Sequence, residues 1–145
     1  MINFTEGKIY LGEKNISVAS DYEDLKILAE EGLVEKREMI GVRHHFYVEA
    51  VEDGMKFRVF IRLREKRIEW ILLRWLDRTI TGWDNASEKA MTDEYHLISN
   101  FVKKHVGTAP DSKKTGTRGW RLKWGQLNVS YEIRSFDVAI FMEPR

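Results

Sequence analysis

MKFRVFIRLREKRIEWILLRW, residues 55–75, alternates apolar and charged residues through two runs that meet at Glu65-Lys66. Period-2 alternation of β-branched and aromatic residues is the mark of a strand with one buried side. The preceding run, VRHHFYVEAV, alternates as well and ends in Glu52-Asp53-Gly54. Asp-Gly between two alternating runs favours a tight hairpin turn, so the region 43–75 is expected to form three consecutive antiparallel strands.

Register follows from the turns. A two-residue turn at Asp53-Gly54 sets Glu49 opposite Arg58, Tyr47 opposite Phe60 and His45 opposite Arg62, with Val48–Val59 and Phe46–Ile61 on the other side. A turn at Glu65-Lys66 would then set Leu63 opposite Ile68, Ile61 opposite Trp70 and Val59 opposite Leu72. That side, with Phe57, is the expected core face. The opposite side would carry Tyr47, Arg58, Phe60, Arg62, Arg64, Ile71, Leu73 and Trp75, an apolar band among basic groups. Contiguous apolar patches of this kind mark surfaces that something covers, whether the chain's own elements or a partner. These eight residues are the candidate partner-binding set.

Outward from this region, Ser20 with Glu23 three residues on resembles a capping box, and Tyr22, Leu25, Leu28 and Ala29 keep helical spacing up to Gly32, which predicts a short helix over about 21–31. Residues 8–18 read as a small hairpin around Gly12-Glu13-Lys14-Asn15. From Ser87 to Gly107 the period changes to 3.6: Met91, Tyr95, Ile98, Val102 and Val106 form one stripe, and Lys103, Lys104 and His105 precede the terminal glycine. A long helix over about 87–107 is expected. Residues 108–119 have little to bury and many turn formers, which predicts an exposed, mobile loop. Leu127, Val129, Tyr131 and Ile133, then Val138, Ile140 and Met142, alternate again as a closing hairpin. Trp83, Trp120 and Trp124 are read mainly as core-plugging residues, with an interface role as the alternative.

Strands gathered before and after one long helix argue for a single α+β domain over 1–145, with a twisted, mainly antiparallel sheet of about six or seven strands packed by that helix. The 145 residues, 43% hydrophobic and 12% aromatic, suffice for a core. There is no internal sequence repeat.

Composition bounds function. Lys plus Arg (24) nearly cancels Asp plus Glu (23) over the chain, so no global field advertises nucleic acid or membrane. The distribution is uneven: residues 1–54 are acidic and residues 55–78 basic. The absence of cysteine excludes a disulfide framework and a thiolate nucleophile. No apolar run reaches membrane-spanning length and the N-terminal residues lack a signal-peptide pattern, so a cytoplasmic location is expected.

No catalytic signature is present: there is no G-x-S-x-G elbow, no phosphate loop and no distinctive carboxylate pair. His44 and His45 point to opposite faces of a strand, and Asp93 with His96 is one helical pair without further ligands. Neither a metal site nor a cofactor is expected. A non-catalytic protein-binding domain, acting on a protein partner or by self-association, is the leading expectation. Arginines interleaved with aromatic rings over 43–75 also suit single-stranded nucleic acid, which is the second reading. The third is a small-molecule-binding protein or enzyme without a recognisable motif.

Trp83-Asp84 before the helix, Trp124-Gly125 after it and the strands Leu127–Ile133 and Val138–Met142 give the chain a layout that resembles a group of small uncharacterised bacterial α+β proteins. Some of these are similar to immunity proteins that neutralise toxins. The resemblance implies protein binding without catalysis. The chain departs from the group's pattern at Tyr131-Glu132-Ile133-Arg134, where a Tyr-Asp-Pro-Arg turn would be expected.

Overall fold

The computed structural model describes residues 1–145. Strands β1 (Ile2–Asn3), β2 (Lys8–Leu11) and β3 (Lys14–Ser17) form a small antiparallel sheet, followed by helix α1 (Tyr22–Glu30). Strands β4 (Glu35–Lys36), β5 (Arg43–Glu52), β6 (Met55–Arg64) and β7 (Arg67–Trp75) make a meander. Helix α2 (Glu88–Val106) then leads to a second meander of β8 (Ser112–Lys114), β9 (Thr117–Leu122), β10 (Gly125–Glu132) and β11 (Asp137–Pro144).

The two meanders join through β7 and β11 into one eight-stranded antiparallel sheet of order β4-β5-β6-β7-β11-β10-β9-β8. The α+β class, the antiparallel sheet and both helices agree with expectation. The strand count is higher, because β1, β4 and β8 are too short to leave a pattern and β9 begins within the segment expected to be a loop, whereas the hairpin of β2 and β3 matches the reading of residues 8–18. Each half of the large sheet is a helix followed by a four-stranded meander, a repetition of architecture without a repetition of sequence.

Local chemistry explains the elements. The α1 cap lies one residue later than expected: Asp21 Oδ1 accepts from Asp24 N at 2.9 Å while Asp24 Oδ2 accepts from Asp21 N at 3.0 Å. Ser20 is engaged elsewhere, accepting from Ser17 N at 2.9 Å. In α2, Ser87 Oγ accepts from Ala90 N at 3.0 Å, and Gly107 closes the helix at φ 89°, after the cations Lys103 and Lys104 that suit the negative end of its dipole. Asp53 and Gly54 both have positive φ, 51° and 79°, as a two-residue hairpin turn of matching twist requires. Residues 108–119 hold β8 and the start of β9, so the expected loop is a hairpin at the sheet edge. Its residues Lys113, Lys114 and Thr115 needed no apolar alternation because an edge strand buries little, and charged edges also discourage further pairing.

Both helices and the small sheet pack on one side of the large sheet. Phe101 of α2 meets Phe57 and Phe4 at ring distances of 5.5 and 6.1 Å, and Tyr22 of α1 lies beside His44 and Phe46 at 4.4 and 6.1 Å. Met91, Tyr95, Ile98 and Val102 fill the space under α2 against Trp120, Leu127, Val129, Ile140 and Met142, in one contiguous core. Trp124 closes the core beside the small sheet, donating Nε1–H to the Phe4 carbonyl at 2.8 Å over Gly7. Trp83 is not a core residue: it is 73% exposed and touches Phe136 edge to face. No helix is long and apolar enough to cross a membrane.

Candidate functional site: the outer sheet face

The β5–β6 pairing has the expected register throughout, from Arg43–Arg64 to Glu52–Met55. The β6–β7 pairing does not. Leu63 faces Ile68 as expected, but the next pair is Arg62–Trp70, followed by Ile61–Ile71, Phe60–Leu72 and Val59–Leu73. Glu69 is the extra residue of a β-bulge, and one extra residue moves every later side chain of the strand to the opposite face.

Three candidate residues, Ile71, Leu73 and Trp75, are thereby corrected. Ile71 and Leu73 are core residues, 0% and 1% exposed. Trp75 turns to the same side and packs against the core while partly exposed. Trp70 and Leu72, expected in the core, stand on the outer side beside Arg62 and Phe60. A signal for this lay in the sequence: unbroken alternation would have carried Arg74 to the core side after Leu72, and the aliphatic pair Ile68 and Ile71 is spaced by three. Tyr47, Arg58, Phe60, Arg62 and Arg64 do lie on the outer face together.

One register row crosses the whole sheet on this face. Glu35 pairs with Tyr47, Tyr47 with Phe60, Phe60 with Leu72, Leu72 with Phe141, Phe141 with Asn128, Asn128 with Gly119 and Gly119 with Ser112. Eight strands at about 4.8 Å spacing make a row roughly 34 Å long. After Glu35 at its end, the row is aromatic and aliphatic from Tyr47 to Phe141 and small and polar from Asn128 to Ser112.

In the aromatic half, Tyr47 meets Phe60 at 5.5 Å and Trp70 meets Phe141 edge to face at 6.3 Å. Guanidinium groups lie over these rings: Arg37 over Tyr47 at 4.7 Å, Arg62 over Trp70 at 5.1 Å and Arg74 over Phe60 at 5.9 Å. Tyr47, Phe60, Trp70 and Phe141 remain partly open to solvent. Their ring contacts are with one another and with the arginines of the same face, and the helices pack on the opposite side. The band is bare.

Much of the positive charge is already matched. Glu69 Oε2 accepts from Arg62 Nε at 2.8 Å and from Arg43 Nε at 3.2 Å, and Arg74 lies 3.7 Å from Asp137. The hydrogen bond from Arg62, with that from Arg43, holds the Glu69 carboxyl below the usual carboxylate value despite partial desolvation. Tyr47 donates to Glu49 at 3.1 Å, and desolvation together with this carboxylate raises its phenol. Arg58 and Arg64 form no ion pair.

The histidines are dispersed. His44 stacks on Tyr22, His96 Nδ1 lies 3.2 Å from Arg118, and His105 Nε2 lies 3.5 Å from Asp53. No group of three or more His, Asp or Glu is placed to hold a metal ion. Sequence reasoning did not reach the contributions of β9, β10 and β11, namely Arg121, Gln126, Asn128 and Phe141, because nothing local says which strands of the two meanders adjoin. Comparison with protein-family models, curated proteins and solved structures finds no match.

Proposed function

We propose that this protein is a non-catalytic protein-binding domain that docks a partner on the outer face of its large sheet, in the manner of an immunity protein. The observation that carries this reading is the partly open band of Tyr47, Phe60, Trp70 and Phe141 around the buried Leu72, whose surrounding arginines are largely ion-paired within the face. Aromatic anchors with an arginine rim are the composition of protein interfaces, in which central aromatic residues supply most of the binding energy. The filled space between α2 and the sheet supports docking on a surface rather than enclosure of a small molecule.

Single-stranded nucleic acid would need the arginines free to meet phosphates. Here Glu69 occupies two of them, and Glu49 and Asp137 add negative charge within the same strip. The test uses Phe60→Asp and Trp70→Asp, both on the solvent side and both expected to keep a native circular-dichroism spectrum. Proteins captured by the immobilised wild-type chain are identified, purified and titrated against wild type and variants by calorimetry. A purified partner that binds wild type and is lost by both folded variants supports the reading; equal binding to all three chains rejects it. Oligo-dT and oligo-U titrated across a salt series form the parallel arm, because phosphate contacts weaken steeply as salt rises. Tight, salt-sensitive binding there would replace the protein-docking reading with the nucleic-acid one.

A further inference from the structure

The polar half of the outer row is built differently from its aromatic half. On β8, β9 and β10 the face opens into a trough of about 760 Å³ whose lining includes Asp111, Lys114, Thr117, Arg121, Gln126 and Asn128 and contains no hydrophobic side chain. Gly119 lies between Asn128 and Ser112 in the row. A Cβ at Gly119 would lie 2.7 Å from both Asn128 Oδ1 and Gln126 Nε2, so the absence of a side chain lets the two amides converge there. Gln126 Nε2 donates to Asn128 Oδ1 at 3.2 Å, which holds the pair together.

The trough carries unspent positive charge. Lys114 and Arg121 form no ion pair, and the only carboxylate in the lining, Asp111, already accepts from the Arg121 backbone N–H at 2.7 Å. An ammonium, a guanidinium, a hydroxyl and an amide N–H facing one open volume match a carboxylate better than any neutral group, since charge-assisted bonds to a guanidinium are the stronger ones. Arg58 and Arg64 extend the same excess along β6.

We infer that the docking face takes an acidic polypeptide segment lying across the strands, with apolar side chains on Phe60, Trp70 and Phe141 and carboxylates in the Lys114/Arg121 trough. This inference rests on the protein-binding reading and adds the chemistry of the partner. The spacing suits one segment: Phe141 and Arg121 stand two strands apart and two residues along the ladder, roughly 12 Å, about two turns of a helix or four residues of extended chain. A polypeptide is favoured over a nucleic acid because the strip alternates charge: Glu69, Asp137 and Glu143 lie on the same face. A uniform phosphate backbone would meet these carboxylates, whereas a peptide can place its acids only where the cations are.

A random linear-peptide library displayed on phage and panned on the immobilised full-length chain tests it. The expected selection is enriched in Asp and Glu together with Leu, Phe or Trp. A synthetic selected peptide should lose affinity roughly tenfold or more on Lys114→Glu/Arg121→Glu and on Phe60→Asp, with each variant confirmed as folded. Gly119→Ala, which displaces the amide pair, should weaken the same peptide with no change of charge. Peptides lost on Phe60→Asp but indifferent to the Lys114/Arg121 reversal would overturn the acidic-partner inference and leave protein docking standing. Peptides indifferent to all these variants, or displaced by oligo-dT in a steeply salt-dependent manner, would overturn both.

Discussion

Glu69 Oε2 lies 2.8 Å from Arg62 Nε across the β6–β7 bulge, so the extra residue of the strand is also the anion that gathers the arginines of the outer face. Replacement by Gln keeps the shape and removes the charge. We expect Glu69→Gln to lose about 1 kcal/mol at neutral pH, a magnitude suited to a partly exposed charged hydrogen bond. Because folding depresses the Glu69 pKa, its contribution is present above the unfolded carboxylate value and is lost as pH falls through the lower folded value. Urea titrations at neutral and acidic pH should therefore separate the two chains at neutral pH and bring them together in acid.

Deletion of Glu69 is a sharper check of the bulge. The pairs Leu63–Ile68 and Arg62–Trp70 flank it, so removing one residue leaves a regular ladder with Ile71 and Leu73 still facing inward. The deletion variant should unfold in a single cooperative transition with a native near-ultraviolet spectrum. A molten or insoluble product would show that the bulge is required for more than the change of face.

The exchange of faces along β7 predicts unequal costs for two neighbouring apolar truncations. Leu73, 1% exposed, should lose about 2–5 kcal/mol on truncation to Ala, the range for a buried Leu that leaves a cavity. Phe60→Ala, on the open side, should lose about 1 kcal/mol and remain folded. Equal losses in urea titration would mean that the outer band is covered.

Glu94 is buried on α2 and is held by Arg78, whose Nε donates to it at 2.9 Å; Arg78 also donates to the Phe136 carbonyl and approaches Asp137 at 3.8 Å. One side chain thus ties the segment after β7 to α2 and to the β10–β11 turn, where Phe136 takes a positive φ of 54°. Arg78→Ala leaves the carboxylate without its partner and should lose about 3–5 kcal/mol, while Arg78→Met/Glu94→Leu should recover much of it. Burial raises the Glu94 pKa, so the wild-type carboxyl favours the folded state most below its unfolded pKa, and that advantage declines as pH rises through the folded value. The Arg78→Ala deficit should accordingly be larger in mildly alkaline than in mildly acidic buffer, as measured by thermal unfolding.

Gly125 opens β10 so close to β11 that a Cβ would lie 2.1 Å from the Glu143 carbonyl oxygen. Gly125→Ala should therefore displace the end of the β10–β11 ladder and lower the unfolding temperature, whereas Gly82→Ser, at an open position without positive φ, should change it little. Comparative thermal unfolding decides this.

Much of the architecture could be read from residue order because it is local. Alternation through 43–64, Asp53-Gly54 and the stripe from Met91 to Val106 each act over a few residues, and β5, β6 and α2 match those patterns. The candidate site was legible where the ladder is regular, at Tyr47, Arg58, Phe60, Arg62 and Arg64. It was misread where the ladder breaks: the apolar run Trp70-Ile71-Leu72-Leu73 reads equally well in either phase, and only Arg74 objected to the phase chosen.

The amphipathic segments themselves determine the α+β class, the two principal helices and one polar-aromatic strand side. Those depend on short-range sterics and on the period of the apolar residues. Three things depended on the packed chain: which face of β7 is inside, that β7 and β11 adjoin, and that Phe141, Asn128 and Gly119 continue the row begun by Tyr47 and Phe60. Each is a choice among pairings of similar local energy, decided by burial of Ile71 and Leu73 under the helices and by the fit of one meander's last strand against the other's.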